Sequence, residues 1–428
     1  MKQRTTVIIG AGAVLDFNFD NITYPSTANI TDIISRIKVE GLYNKESNII
    51  STIYSEINQI IEKSSNITIN FEELYSLLEH LWTINTISNK NTDYGSRIYS
   101  PRAIPLYGHF VDLQKHIDFP NIEYERALIN IISTITNIIN QYNQKFNENI
   151  LYESWYRQFW KNREKQWDIF TLNYDTTIEN SLTEYEDGFE SVHNTNYEHF
   201  NPTKLYQNNK QLSTIHHLHG CINYAELNPK EFQSTHSNRD MYKLTNWNLE
   251  IMNEYLEFQC PPITQTHSQY INSPIIIGQR KLDKQTFLPY SIYHANLANK
   301  IIQNKNLLII GYSFGDLYIN QLIERHKLIH GKNQKIIIID KFPEYINSNI
   351  DLYQFITNKI NGNMREFFLR QFNFGITPDL KIRGLNIKSH YSPIYSEDQC
   401  TMLLINGFKS AATENKEDLY NFLDRISE

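Results

Sequence analysis

The segment from Leu307 to Asp340 constrains the fold more than any other part of the chain. Leu307-Leu308-Ile309-Ile310 is an unbroken apolar run, and Ile336-Ile337-Ile338-Ile339 is another. Apolar runs without polar alternation predict strands buried on both faces. Between them, Tyr318 to His330 has the length of a helix, and Gly331 suits its C-terminal end. A strand–helix–strand unit of this kind predicts parallel pairing, and hence an α/β fold with a Rossmann-like parallel sheet covered on both faces. Thr5-Thr6-Val7-Ile8-Ile9 adds a β-branched strand, and Trp167 to Leu172, Thr214 to Leu218 and Pro274 to Gly278 add three shorter candidates. Tyr293 to Asn304 is predicted helical.

The rest divides by periodicity. Residues 21–164 carry apolar residues at helical spacing, for example Ile33, Ile34 and Ile37, or Ile57, Ile60 and Ile61, with no glycine-rich turns. They are predicted to form a large helical insertion in a core made of 1–20 and 165–345. A helix is expected to begin at Asp175, a good N-cap type. The stretch 190–211 is expected to be loop, 221–270 irregular or helical, and 346–428 a mostly helical C-terminal region suited to assembly or partner binding.

Composition narrows the function. Of the 428 residues, 40% are hydrophobic and 20% charged, which excludes a disordered chain. The formal charge is −7, against a main role in nucleic-acid binding. Three cysteines (Cys221, Cys260, Cys400) are too few for a disulfide framework or a four-cysteine zinc ribbon and fit a reducing, cytoplasmic setting. No stretch reaches the ~20 apolar residues of a membrane span. The basic start followed by Val7–Leu15 imitates a signal peptide, but two glycines break the apolar run and Asp16 ends it.

Candidate chemistry sits at strand ends. Gly10-x-Gly12 follows the first strand, where glycines let a pyrophosphate approach the backbone. The dinucleotide fingerprint is incomplete, since Leu15 stands where a third small residue belongs, and a tight turn accounts for the glycines equally well. Gly311-x-Ser313-x-x-Asp316 repeats the arrangement after Leu307–Ile310, with a helix cap as the alternative. Asp340 ends the next strand, where an acid can accept from ribose hydroxyls or simply be solvated. Asn173 and Asp175 flank Tyr174, and both could cap a helix instead of holding water or ribose. In His216-His217-Leu218-His219-Gly220, His217 and His219 share a strand face, but no third metal ligand is evident, so no metal site is predicted. His219, at the strand end, is a candidate general base.

Each motif is weak alone, but their order is specific. Gly-Ala-Gly, then Thr171-Leu172-Asn173-Tyr174-Asp175, then Leu218-His219-Gly220, then Gly311-Tyr312-Ser313-Phe314-Gly315-Asp316 resembles the sirtuin family over about 5–20, 167–182, 214–222 and 274–341. The resemblance implies NAD as substrate. It implies that Asn173 meets the nicotinamide ribose, that His219 is the base, and that Asp175 is the acid following the asparagine. Gly10, Ala11, Gly12 and Ala13, with Asp16 and Phe17 after them, match the first cofactor loop. Gly311, Ser313 and Asp316 match the second, and Asp340 stands near the adenosine-ribose position. The paired Cys-x-x-Cys motifs of protein-deacylating sirtuins are missing, so no zinc is expected. The Gly-Tyr-Ser-Phe-Gly-Asp loop and the helical insertion look more like SIR2-like proteins of bacterial anti-phage defence, which hydrolyse NAD and often act as oligomers or with a HerA-type ATPase. No phosphate-binding ATPase motif occurs in this chain. Deacylation, ADP-ribosyl transfer and non-catalytic NAD or ADP-ribose sensing are the alternatives.

Overall fold

The computed structural model describes residues 4–19, 22–23, 25–41, 45–62, 69–89, 119–149, 154–161, 165–193, 195–207, 212–226, 240–245, 273–278, 281–342, 372, 393–396 and 398–424. Its main sheet has eight strands. They are β1 (Arg4–Ile9), β2 (Gln166–Thr171), β3 (Tyr185–Glu186), β4 (Ser213–His217), β5 (Asn306–Ile310), β6 (Lys335–Ile339), β7 (Ile394–Tyr395) and β8 (Thr401–Leu404). The spatial order is β7-β8-β6-β5-β1-β2-β4-β3, parallel throughout except for β7 against β8. This is the predicted Rossmann-like α/β sheet. Val7, Ile8, Leu307, Leu308, Ile336 and Ile337 are wholly buried, as strands covered on both faces must be. Each such side chain contributes roughly 1.5–3 kcal/mol of transfer free energy.

The chain runs from β1 to β2 and β4 on one side, then crosses back to β5 and β6 on the other. The strand order therefore reverses between β5 and β1, and ligands in open α/β sheets bind beyond the carboxyl ends at such a reversal. At the opposite, amino end, the buried Asp168 carboxylate is saturated. It accepts from Arg4 Nε and Nη2, from Thr214 Oγ1 and from Asn304 Nδ2 at 2.7–3.1 Å. These contacts tie β1, β2 and β4 to the chain leading into β5.

Among the described residues, 27–160 supply five helices: α1 (Thr27–Ser35), α2 (Ile49–Glu62), α3 (Phe71–Asn89), α4 (Asn121–Asn149) and α5 (Ser154–Trp160), with one short antiparallel strand pair, Val39–Glu40 and Glu46–Ser47, between α1 and α2. The predicted helical insertion is present, and its core is largely isoleucine and leucine from α3 and α4. Helix α6 (Tyr290–Gln303) leads into β5, and α7 (Leu317–His330) joins β5 to β6, ending at Gly331 with φ +54°. Helices α8 (Gly407–Thr413) and α9 (Lys416–Asp424) close the described chain.

Four expectations change. Residues 177–181 make turns rather than the helix expected from Asp175, because the Asp175 carboxylate accepts from both the backbone and the hydroxyl of Thr177. That local closure competes with a helix. The 190–211 stretch, expected to be loop, contributes to a second, antiparallel sheet of Phe189–Ser191, Tyr197–Phe200, Tyr224–Glu226 and Met241–Leu244. Pro274–Gly278 makes only a single bridge, Gly220 to Ile275, although Ile275, Ile276 and Ile277 are fully buried. The C-terminal stretch carries the expected helices, but β7 and β8 join it to the main sheet; most of 346–393 lies outside the described residues.

The two glycine loops at the reversal touch backbone to backbone. Gly10 N–H donates to Ile310 O at 2.9 Å, and Gly12 N–H donates to Gly311 O at 3.0 Å. A methyl group on Gly311 would lie 2.2 Å from the Ala13 nitrogen, and one on Gly12 would lie 2.7 Å from the Gly311 Cα. Gly311 also has φ +57°, a conformation that side chains disfavour. Gly311→Ala should therefore lower stability by about 3 kcal/mol, measured by denaturant titration. Gly315→Ala, where only Ser313 Oγ comes within 4 Å at 3.5 Å, is the control and should shift stability by under about 0.5 kcal/mol. Equal effects would refute the close-approach account.

Buried histidines set the response to acid. His216 stacks on Phe170 at 4.4 Å, donates from Nδ1 to Ile169 O and accepts from Asn296 Nδ2. Burial holds His216, His294 and His326 down at about 4. An unfolded histidine titrates near 6.5. Between these values the unfolded chain binds protons that the folded chain does not, so stability falls as pH falls from about 6.5 to 4. Asp340, pushed up to about 6 by burial, works in the opposite direction, as do the raised Asp175 and His217, so the contribution of one ring is read from the difference between wild type and His216→Phe. Between pH 7 and pH 5 the change in melting temperature should be less favourable in the wild type than in His216→Phe; equal profiles would contradict neutral burial of this ring.

Candidate active site

Five neighbouring parallel strands end together. Ile9 is in register with both Thr171 and Ile310, His217 with Thr171, and Ile339 with Ile310. The residues that follow form one row along the carboxyl edge: Asp340, Gly311, Gly10, Asn173 and His219. Ala11, Gly12 and Ala13 form a short 3-10 turn over this edge, with Ala11 exposed and Ala13 buried.

The loop after β5 spans the row. Phe314 sits inside it at φ +57°, fully buried, an uncommon backbone for a bulky residue. Asn320 Nδ2 donates to Phe314 O, and the Tyr312 hydroxyl donates to Asn320 Oδ1 and the Asp316 carbonyl, so the loop is pinned from below. Ser313 is exposed at its crest. The loop delivers Asp316 to His219, beyond the ends of β1 and β2: His219 Nε2 donates to Asp316 Oδ2 at 3.3 Å. The other Asp316 oxygen caps α7 by accepting from Ile319 N–H at 3.1 Å. Asp316 is thus placed as the partner of the histidine as well as a helix cap, instead of as a free cofactor contact.

The electrostatics suit a base. Burial, with Lys281 nearby, lowers the His219 pKa, while Asp316 opposes the shift. The ring is therefore neutral near pH 7 and can accept a proton at Nδ1 when Nε2–H points at a carboxylate. Burial would raise Asp316, but the His219 ring and the Ile319 N–H hold it at about 2. His294, on α6, donates from Nε2 to Leu218 O at 3.3 Å, and its Nδ1 is buried without a partner among the described residues. The sequence carried no signal for His294, because it is a lone histidine on a helix.

Asn173 stands on β2's end, between the strands that supply Asp316 and His219. It is 6% exposed, and its amide has no hydrogen-bond partner among the described residues. Asp175 differs. It is buried and bound to Thr177, and burial raises its pKa, so it shapes the loop from within. The insertion grips the same loop. Asn143 of α4 bonds Thr176 twice, at 3.1 and 3.3 Å, and the Glu72 carboxylate of α3 lies close enough to Tyr174 to add to burial in raising its pKa. Glu72 and Glu79 of α3 also pair with Lys281 and Lys284 at 3.0 and 2.9 Å. None of these contacts was visible in the sequence, which offered the insertion only as periodicity.

Asp16 lies beside the residues that follow Asp340, and Phe17 is turned into the core. Asp16 pairs with Lys341 at 2.8 Å and accepts from the Lys409 N–H in the first turn of α8. Phe17 is wholly buried among Phe146, Trp155 and Tyr156. The apolar cluster accounts for a phenylalanine at 17, while Asp16 is engaged by an ion pair and a backbone N–H. Asp340 stays on the edge, accepting from the Lys341 N–H at 2.8 Å. His217 turns inward to Glu179 at 2.5 Å, so it and His219 do not form the paired face expected from alternation.

Among the described residues no helix is long and apolar enough to cross a membrane. A search of curated proteins returns no match to the chain. Residues 168–359, which include the strands carrying Asn173, His219, Gly311 and Asp340, match the family model described as a SIR2-like domain. The match begins after β1, so the glycine turn at 10–13 comes to the site through the sheet register alone. With its Rossmann-like sheet and its Asn and His at adjacent strand ends, this part of the chain is similar to a SIR2-like domain, a type of domain often found in NAD-using enzymes.

Proposed function

We propose that the protein is an NAD+ glycohydrolase that splits NAD+ and water into nicotinamide, ADP-ribose and a proton. The observation that carries this reading is the His219–Asp316 pair reaching over the strand that presents an unpartnered Asn173. Binding alone needs no oriented neutral imidazole. Hydrolysis does.

The glycosidic C1′–N bond of NAD+ breaks with positive charge developing on the ribose, and nicotinamide leaves as a neutral molecule. No strong general acid is needed. The Asn173 amide would hold a ribose hydroxyl and the attacking water. His219 Nδ1 would take a proton from that water, directly or through a ribose hydroxyl, while the ionised Asp316 fixes the ring and favours the imidazolium. The glycine turns at 10–13 and 311 keep bulky side chains away from the edge where a pyrophosphate would lie. Asp340 is suited to the adenosine ribose.

Depleting NAD would harm the host cell, so this activity suits an anti-phage effector held inactive until triggered. Self-assembly or a HerA-type ATPase partner would supply the trigger.

The test is chromatography of NAD+ incubated with the purified chain, alone and with the protein encoded beside it. Nicotinamide and ADP-ribose should appear in equal amounts. Asn173→Ala and His219→Ala should each reduce turnover by about 10²–10⁴. Asp316→Asn keeps a competent helix cap and removes the charge; its kcat should fall by about tenfold or more with KM little changed. NAD+ bound but never cleaved under either condition would replace the hydrolase with a sensor. Wild-type turnover in His219→Ala would remove this residue from the mechanism.

A further inference from the structure

We infer that Glu179, His217 and Cys221 form a site for one zinc-type divalent cation, just behind the loop that carries Asn173. Glu179 is far in sequence from His217 and Cys221, yet one ligand atom from each lies within 4.8 Å of the others. His217 and Cys221 are 2% and 1% exposed, and the Glu179 side chain 8%. A carboxylate, an imidazole and a thiol are the oxygen, nitrogen and sulfur donors that zinc accepts together.

Two further observations point to a cation. First, His217 Nδ1 donates to the Asn173 carbonyl at 3.2 Å, which fixes the tautomer and leaves Nε2 directed at Glu179. Metal-binding histidines are oriented in this way by a backbone carbonyl. Second, Glu179 Oε2 is buried and has no hydrogen-bond partner among the described residues. An unpartnered buried carboxylate oxygen is costly, and a metal would satisfy it. In the metal-bound form a carboxylate, a thiolate and a neutral imidazole would carry two negative charges, which one dication neutralises. Lys243, the nearby lysine, is already paired with Asp187 at 2.5 Å. Zn–N and Zn–O bonds of about 2.0–2.1 Å place ligand atoms about 3.3 Å apart, so Glu179 need withdraw from His217 by less than about 1 Å. The fourth position falls to Glu179 Oε2 or to water.

The cation would brace the catalytic loop from behind. His217 holds the Asn173 carbonyl, and the N–H of Ile222, next to Cys221, donates to Tyr174 O at 2.9 Å. This consequence rests on the proposed function; the binding of the metal does not.

The full chain, stripped with a chelator, would be titrated with Co²⁺ and then Zn²⁺. One equivalent of Co²⁺ should bind with an intense thiolate-to-cobalt charge-transfer band, and Zn²⁺ should displace it. Cys221→Ser should lose the band. Glu179→Gln, nearly isosteric and chosen in case the serine variant fails to fold, should bind Zn²⁺ at least about tenfold more weakly and lose the rise in melting temperature that Zn²⁺ gives the wild type. No stoichiometric uptake, a cobalt complex without the thiolate band, or a band that survives Cys221→Ser would overturn the site. All these readouts are made without NAD+, so failure of hydrolysis and failure of metal binding are told apart.

Discussion

Two stretches of backbone in direct contact, Gly10–Ala13 and Gly311, set the geometry of everything at the carboxyl edge. With no side chain between them, the turn after β1 and the turn after β5 lie as close as van der Waals radii allow. That closeness fixes where the second loop starts. The left-handed Phe314 then turns it, and the Tyr312–Asn320 bonds hold the turn. Only from that start does Asp316 reach a histidine two strands beyond β1. The His219–Asp316 pair is therefore a consequence of glycine packing elsewhere, and a larger residue at 12 or 311 would act on it at a distance.

The two ends of the sheet are opposite in character. At the amino end, Asp168 is enclosed by Arg4, Thr214 and Asn304, and its charge is fully used in holding strands together. At the carboxyl end, the Asn173 amide is unpartnered among the described residues and Ser313 is exposed. A fold gains nothing in stability from a nearly buried amide without a partner. Its presence at a topological reversal, beside an oriented imidazole, is the pattern expected where a ligand completes the hydrogen bonds. The insertion reinforces this division. Its helices α3 and α4 meet Tyr174 and Thr176 on either side of Asp175 and leave Asn173 alone.

The sheet was legible because its strands are unbroken apolar runs, and burial on both faces is written in Leu307–Ile310 and Ile336–Ile339 without reference to any partner. The order of strand-end motifs likewise gave the row Gly10, Asn173, His219, Gly311 and Asp340. What could not be read was contact between distant segments. Asp16 follows a glycine turn and looks like a ligand residue, but Lys341 and the α8 backbone claim it. Phe17 is indistinguishable in sequence from a loop aromatic, and only Phe146 and Trp155 make it core. His217 alternates with His219 along the strand, yet Glu179 and Cys221 draw it to a different purpose. In the 190–211 stretch, hydrophilic composition hid two strands, because a small antiparallel sheet tolerates polar residues on an open face.

The Asn173-Tyr174-Asp175 motif shows how three adjacent residues at one strand end take three roles. Asp175 is raised in pKa by burial and bound to Thr177, so its carboxyl is consumed in closing the turn. Tyr174 lies close to Glu72 of the insertion, and its carbonyl accepts from the Ile222 N–H. With both neighbours held, the backbone at 173 has little freedom, and its carbonyl is engaged by His217 as well. The amide side chain alone is left to act. An asparagine placed by three independent contacts, none of which uses its own side chain, is pre-organised in the sense that catalysis requires: the order is imposed before any substrate arrives, and substrate binding need not supply it. The same logic separates Asp316 from Asp175. Both cap or close local backbone, but Asp316 keeps one oxygen for His219. Of the two acids it is therefore Asp316, in the loop farther along the chain, that can influence the chemistry.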